Sequence, residues 1–205
     1  MRIEIFDRMT ECTEEEVQRM LPQVSAQRRE QALRYKHTLG QFCCLKSWLM
    51  LSALHIGEME FLYNEHGKPY LAGGPYFSIS HCKEGIAVAL DDEPIGIDIE
   101  SIRHADEELI RRTMNADEQR LIANANANAD RAFTRLWTQK EAVVKMLGTG
   151  IESFEQLQNI LSESRDHEIT RSRNNSALNG LRIETIEKEK YIYSIAYGKL
   201  CSISA

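Results

Sequence analysis

The sequence has little of what marks a secreted, membrane or nucleic-acid-binding protein. Its five cysteines are odd in number and include no Cys-x-x-Cys pair, which argues against a disulfide framework or a zinc site and indicates a reducing compartment. The most apolar stretch, residues 42–54, contains Lys46 and is too short to span a bilayer. Residues 1–6 alternate like a strand and lack the plan of a signal peptide. We therefore expect a cytoplasmic protein with no membrane association.

An excess of positive charge is also absent. The formal net charge is −6, with 25 Lys and Arg against 31 Asp and Glu. This balance speaks against a nucleic-acid partner, since phosphate backbones are bound through basic surfaces. A smaller polyanionic ligand would need local basic residues, and these lie at Arg28 and Arg29, at Lys68, and at Lys140 and Lys145.

What is present is an ordinary globular composition, 42% hydrophobic and 27% charged over 205 residues. Periodicity predicts helices over residues 14–21, 25–36 passing into 39–55, and 107–147 with an interruption at 123–128, plus one short turn within 154–161. It predicts strands over 2–7, 61–63, 70–71, 77–80, 86–90, 95–100, 181–186 and 191–197, with a long loop over 162–180. The pattern predicts an α+β fold with mostly antiparallel strands. We expect two similar-sized lobes, residues 1–94 and 95–205, with the site in the cleft between them.

The most informative stretch is Ile95-Gly96-Ile97-Asp98-Ile99-Glu100. In a strand, its isoleucines point to one face, and Asp98 and Glu100 point together to the other. Two adjacent carboxylates repel each other, and a hard cation such as Mg²⁺ or Mn²⁺ relieves that repulsion. The alternative is a strand whose acidic face is simply solvated, and this stretch alone leaves both interpretations open.

A second stretch, residues 136–148, reads as a helix. Trp137, Glu141 and Lys145 follow one another at intervals of four residues and share a stripe of its surface. By itself this is an ordinary surface Glu–Lys pair. Beside Asp98 and Glu100, however, Glu141 can complete a three-carboxylate cation site while Lys145 faces an anion.

Other candidate residues have equally ordinary explanations. Lys68 lies in the turn Gly67-Lys68-Pro69, and Ser80-His81 ends a strand, where a lone histidine is more often a packing residue than a catalyst. Glu118 matches the third position of a helix-capping box that begins at Asn115.

Taken in order, the motifs resemble the 4′-phosphopantetheinyl transferases of the larger, surfactin-synthetase-activating type. The matching segments are 67–71, 77–81, 95–100 and 137–145, followed by Gly148-Thr149-Gly150. The resemblance implies a pseudo-twofold, two-lobed monomer that binds coenzyme A and Mg²⁺, or Mn²⁺, in its cleft. Such enzymes move 4′-phosphopantetheine from coenzyme A to a serine hydroxyl of an apo acyl or peptidyl carrier protein and release adenosine 3′,5′-bisphosphate.

The resemblance also implies a role for each matching position. The metal ligands would be Asp98, Glu100 and Glu141, and the catalytic residues Glu141, Lys145 and Asp98. Glu141 would take the serine proton, directly or through a metal-bound water, and Lys145 would stabilise or protonate the leaving phosphate. Residues facing coenzyme A would be Lys145, Ser80 and His81 at the phosphates, Lys68 near the adenine nucleotide, and Arg28 at the 3′-phosphate. Glu118 matches a family acid near the metal, with helix capping as the alternative.

The sequence departs from the family pattern at Ser78, Cys82, Gln31 and Gln41, the last two where relatives carry basic residues. Since the chain is acidic like its expected carriers, docking would be apolar or would use Arg103 and Arg111-Arg112. Two other functions stay open. One is a non-catalytic coenzyme A-binding or carrier-docking module of the same fold. The other is a metal-dependent phosphoesterase, in which the Gly-Lys-Pro and Ser-His motifs have no role.

Overall fold

The computed structural model describes residues 1–56, 61–151, 153–169 and 180–198, with the backbone alone for 162–169. Its strands are Arg2–Phe6 (β1), Phe61–Tyr63 (β2), Pro69–Leu71 (β3), Tyr76–Cys82 (β4), Gly85–Asp91 (β5), Ile95–Ser101 (β6), Arg182–Glu187 (β7) and Tyr191–Tyr197 (β8). Its helices are Glu14–Met20 (α1), Ala26–Leu33 (α2), Thr38–Ala53 (α3), Glu107–Thr113 (α4), Ala116–Asn124 (α5), Ala129–Leu147 (α6) and Phe154–Ile169 (α7). The predicted α+β class with antiparallel strands is confirmed.

The first sheet has the order β1-β5-β4, with all pairs antiparallel. Its central strand β5 is apolar and buried along residues 85–90, as its unbroken hydrophobic sequence predicts. The fully buried side chains of Phe42, Leu45 and Leu51 on α3 belong to the same core as Ile86 and Val88. The separate hairpin β2-β3 packs onto this core through Phe61, which stacks 4.9 Å from Phe77.

The second sheet has the order β6-β8-β7 and carries α6 across one face. Gly96 makes this packing possible, because a Cβ atom there would lie 2.0 Å from the carbonyl oxygen of Ala142 and 2.4 Å from the backbone nitrogen of Met146. Backbone therefore packs on backbone where α6 crosses β6. A polar contact joins α6 to the neighbouring strand β8, where the hydroxyl oxygens of Thr138 on α6 and Ser194 on β8 lie 2.8 Å apart.

Helix boundaries follow local capping signals. The Thr13 hydroxyl accepts from the backbone N–H of Glu16 at the start of α1. The predicted capping box is present at α5, where the side chain of Asn115 and that of Glu118 each bind the backbone N–H of the other. The predicted continuous passage from the second helix to the third is wrong, because α2 ends at Leu33 and the chain leaves the helical conformation before α3 begins at Thr38.

Two further expectations need correction. The stretch after Gly150 holds a sixteen-residue helix, α7, rather than one short turn, and residues 162–169 are helical rather than loop. Polar composition alone does not exclude a helix, since Glu, Gln and Arg propagate one nearly as well as Leu. The rest of the predicted loop, to residue 179, lies outside the described residues. The 123–128 tract does interrupt the helical region as predicted, because α5 ends at Asn124 and a 3₁₀ turn follows at Asn126–Asn128.

Among the described helices, none combines the length and apolar character needed to cross a membrane. Among the described residues, the cysteines at 12, 43, 44 and 82 are free thiols. The division into lobes at residue 94 and their pseudo-twofold relation stay predictions.

Candidate functional site

The two main sheets meet along β4 and β6, and two serines of β4 join them. The Ser78 hydroxyl accepts from the backbone N–H of Ile97 at 3.0 Å. Two residues further on, the Ser80 hydroxyl donates to Oδ1 of Asp98 at 2.7 Å. The alternation of β4 therefore aims both hydroxyls at the strand that carries the acidic pair.

Asp98 is at the centre of the site. Its side chain is 3% exposed, which excludes a solvated strand face as the explanation for this residue. Oδ1 accepts from the Lys145 ammonium at 2.5 Å, and the same ammonium lies 2.8 Å from the Ser80 hydroxyl oxygen. Asp98, Ser80 and Lys145, predicted separately from three distant segments, thus form one hydrogen-bonded triangle.

The other two acids respond to Asp98 electrostatically. Burial, and then the Asp98 charge, raise the pKa of Glu141 to about 7, while Lys145 partly offsets both. Burial raises the pKa of Glu100 as well, and the charge of Asp98 raises it further. Each acid is therefore held in a half-buried environment of negative charge, which is the condition that a bound cation relieves.

The donor chemistry suits a hard divalent cation. Oδ2 of Asp98 is buried and has no hydrogen-bond partner, which leaves a carboxylate oxygen available as a ligand. The half-buried carboxylates of Glu100 and Glu141 are of the same hard type. Within the described ranges, no three His, Cys, Asp or Glu side chains are already close enough to form a complete metal site. The Lys145 ammonium offsets part of the negative charge of these carboxylates.

A cavity of about 300 Å³ opens beside this cluster. One wall is the β2-β3 turn, including Lys68, and another is α6 with Glu141 and Lys145. Burial lowers the pKa of Lys68 to about 8, and its ammonium donates to the carbonyl oxygen of Met146 at 3.2 Å. Lys68 and Lys145 thus present two cationic groups to one cavity.

A smaller cavity of about 130 Å³ shares Ile79 with the larger one as a lining residue. Arg28 and His81 both line it, together with Gln31 and Cys44. The Arg28 guanidinium stacks over the Trp48 ring at 4.3 Å, which fixes its plane. Loss of hydration and the Lys145 charge lower the pKa of His81. The structure therefore separates the predicted coenzyme A residues into two neighbouring groups.

Lys140, expected among the basic residues available to a polyanion, has a different place. It is fully buried, and its ammonium lies 2.9 Å from Oε2 of Glu118. It also donates to the carbonyl oxygens of Leu157 at 2.7 Å and Gln158 at 3.0 Å. Lys140 is thus unavailable to a ligand, and Glu118 both caps α5 and neutralises a buried cation.

Comparison with known proteins gives the family. The sequence profile of the 4′-phosphopantetheinyl transferase superfamily matches residues 94–196, half of the chain. The chain belongs to this superfamily. The matched region contains Asp98, Glu100, Glu141 and Lys145 of the cluster.

Curated relatives agree with this assignment. The chain is 31% identical over 156 residues to a 4′-phosphopantetheinyl transferase of Bacillus subtilis, covering 71% of this chain and 69% of the relative. It is 30% identical over 146 residues to one of Bacillus pumilus, covering 66% and 63%. It is 41% identical over 115 residues to the transferase AcpT of Salmonella typhimurium, covering 50% and 58%. The aligned chain thus spans about half to two thirds of these relatives' own length.

Proposed function

We propose that this protein transfers the 4′-phosphopantetheinyl group of coenzyme A to a serine hydroxyl of an apo carrier protein. The observation that carries the proposal is the hydrogen-bonded triangle of Asp98, Ser80 and Lys145, whose Lys145 lines a cavity of about 300 Å³ together with Glu141. Its relatives, named 4′-phosphopantetheinyl transferases, support the same reaction.

In the proposed reaction, the serine oxygen attacks the coenzyme A phosphorus that carries pantetheine. The bond from that phosphorus to the bridging pyrophosphate oxygen breaks, and adenosine 3′,5′-bisphosphate leaves. Glu141 receives the serine proton, because its carboxylate lines the cavity beside Lys145, where the attacking hydroxyl would enter. Lys145 hydrogen-bonds or protonates the leaving phosphate, for which its ammonium must exchange the Asp98 contact for the phosphate.

Asp98, Glu100 and Glu141 would hold Mg²⁺, with Mn²⁺ as an alternative. The ion supplies charge neutralisation and alignment of the pyrophosphate oxygens.

The chain's own groups position the remainder of coenzyme A. Lys68, which lines the larger cavity, is proposed to contact the adenine nucleotide, and Arg28 and His81, which line the smaller cavity, to contact the 3′-phosphate. Ser80 orients Asp98 and keeps Lys145 at the cavity.

The carrier partner is proposed to dock near the start of α7. Arg111 and Arg112 are exposed in the last turn of α4, and the Arg112 guanidinium stacks 4.2 Å from the ring of the exposed Phe154. Such a mixed basic and apolar patch suits an acidic carrier. We further propose that the protein acts as a cytoplasmic monomer of two pseudo-twofold lobes, 1–94 and 95–205.

The direct test incubates a panel of apo carrier proteins with the protein, coenzyme A and Mg²⁺, followed by intact mass spectrometry. We expect the mass of one phosphopantetheine to be added to a carrier, and no addition with EDTA or with a carrier whose serine is replaced by alanine. Coenzyme A binding without mass gain across the panel would instead indicate a non-catalytic module. Hydrolysis of a generic phosphodiester without any carrier would indicate a phosphoesterase.

A further inference from the structure

Two side chains of the β2-β3 turn bind the C-terminal end of α6. The last carbonyl groups of a helix have no partner within it. Here the Asn64 side-chain amide donates to the carbonyl oxygen of Gly148 at 2.7 Å, from a position 84 residues earlier in the chain. The Lys68 ammonium donates to the carbonyl oxygen of Met146. The β2-β3 turn therefore serves as the cap of the helix that carries Glu141 and Lys145.

The side-chain oxygen of Asn64 makes a second set of hydrogen bonds, within the turn itself. Its Oδ1 accepts from the backbone N–H of His66 at 3.1 Å and of Lys68 at 2.8 Å. One side chain thus folds the turn with its oxygen and binds the helix end with its nitrogen. The turn and the end of α6 are consequently joined as one unit.

These two parts form two walls of the larger cavity. The turn contributes residues 66–69, and α6 with its following loop contributes Glu141, Lys145 and Gly148. At the junction the walls touch, since a Cβ atom on Gly148 would lie 3.1 Å from Cδ of Lys68. The junction is thus the place where the separation of the walls is fixed.

We infer that Asn64 is a positioning residue, which sets the separation of the two cavity walls and thereby the affinity for coenzyme A. This inference rests on the proposed function. It predicts an effect on binding rather than on the chemical step, because α6 has independent anchors. The Gly96 contact and the Lys145–Asp98 bond hold the catalytic part of the helix on β6. Losing the Asn64–Gly148 bond removes one of the two hydrogen bonds from the turn to the end of α6, leaves only the longer Lys68–Met146 bond, and keeps the triangle in place.

Asn64→Asp separates the two tasks of the side chain. The carboxylate keeps the acceptor for the turn amides but loses the donor to Gly148, and it places negative charge at a helix C-terminus. Asn64→Ser is the second variant, with a hydroxyl that can accept from the turn but is too short to reach Gly148. Asn124→Asp is the matched control, the same change at an exposed position. Thermal melts establish that each variant is folded before measurement.

The dissociation constant for coenzyme A is measured by calorimetry without a carrier. The carrier assay gives kcat and the KM for coenzyme A. We expect both Asn64 variants to raise the dissociation constant and KM about tenfold, the equivalent of one hydrogen bond, with kcat within about twofold of wild type. The Asn124→Asp control should bind like wild type.

An unchanged dissociation constant in both folded Asn64 variants would overturn the inference alone. A fall in kcat as large as the rise in KM would do the same, since it would place Asn64 in the chemical step. Wild-type protein that neither binds coenzyme A nor modifies a carrier would overturn the proposed function itself, and the inference with it.

Discussion

Replacing Gly96 with alanine tests how closely the site depends on the packing of α6 against β6. The new Cβ would lie 2.0 Å from the carbonyl oxygen of Ala142, whereas real Cβ atoms essentially never approach within 3.0 Å. It would also lie 2.4 Å from the backbone nitrogen of Met146. Both of these atoms belong to the backbone of α6, so the clash cannot be relieved by rotating a side chain. The helix must therefore move about 1 Å from the strand.

This displacement has two expected consequences. Overpacking in a core costs about 1–3 kcal/mol of folding free energy, and the backbone contact places Gly96→Ala at the upper end of that range. Typical stabilities are about 5–15 kcal/mol, so the variant should still fold. The shift also carries Glu141 and Lys145 away from Asp98, and a misplacement of about 1 Å can lower turnover about 100-fold.

The assay compares urea unfolding and carrier modification in Gly96→Ala and in a control, Gly40→Ala. In the control the new Cβ would lie 2.7 Å from Cδ1 of Tyr35, an exposed side chain that can shift, and alanine favours the helical conformation of α3. We expect the control to lose less stability than Gly96→Ala and to keep its activity, because it displaces a side chain and leaves α6 in place. If Gly96→Ala proved as stable and as active as this control, the reasoning about helix placement would be refuted.

Three further predictions concern the charged residues around the site. Lys140→Met should lower the free energy of unfolding by about 3–5 kcal/mol, because the Glu118 carboxylate stays buried without its cation. Adding Glu118→Gln should recover part of that loss in urea unfolding, and simple addition of the two losses would contradict the pairing. Lys68, with a pKa lowered by burial to about 8, holds fewer protons in the folded chain than in the unfolded chain between pH 8 and its ordinary value of about 10.4. The stability of wild type relative to Lys68→Met should therefore be flat below pH 8 and rise above it; a fall above pH 8 would contradict the assignment. Arg28→Met should raise the dissociation constant for coenzyme A about tenfold and leave that for dephospho-coenzyme A unchanged in calorimetry; an equal effect on both ligands would remove Arg28 from the 3′-phosphate.

Local patterns predict most of the fold because they depend on neighbouring residues. The alternation of residues 95–100 gives both β6 and the face that Asp98 and Glu100 share. The capping box at Asn115 gives the start of α5. The end of α7 could not be predicted in this way, because the residues after 161 are polar and carry no apolar periodicity. Only the structure shows that the helix continues to Ile169.

Long-range partners could not be read from the sequence in the same way. Helical spacing places Lys145 on the stripe of Glu141, but no local signal shows that Lys140 is buried against Glu118. Asn64 was not expected at all as part of the site. Its Gly148 partner is 84 residues away, and the only local signal is its place at the start of the Gly-Lys-Pro turn.

The proposed mechanism depends most on our proposal that Asp98, Glu100 and Glu141 together hold one divalent cation. Electron paramagnetic resonance titration of Mn²⁺ tests it directly, with coenzyme A present and no carrier. Wild type should bind one ion that Mg²⁺ displaces, with affinity at least about tenfold lower in Asp98→Asn and in Glu141→Gln. Glu107→Gln, an identical change at an exposed helix start, should bind like wild type. Unchanged Mn²⁺ affinity in both Asp98→Asn and Glu141→Gln would contradict the account.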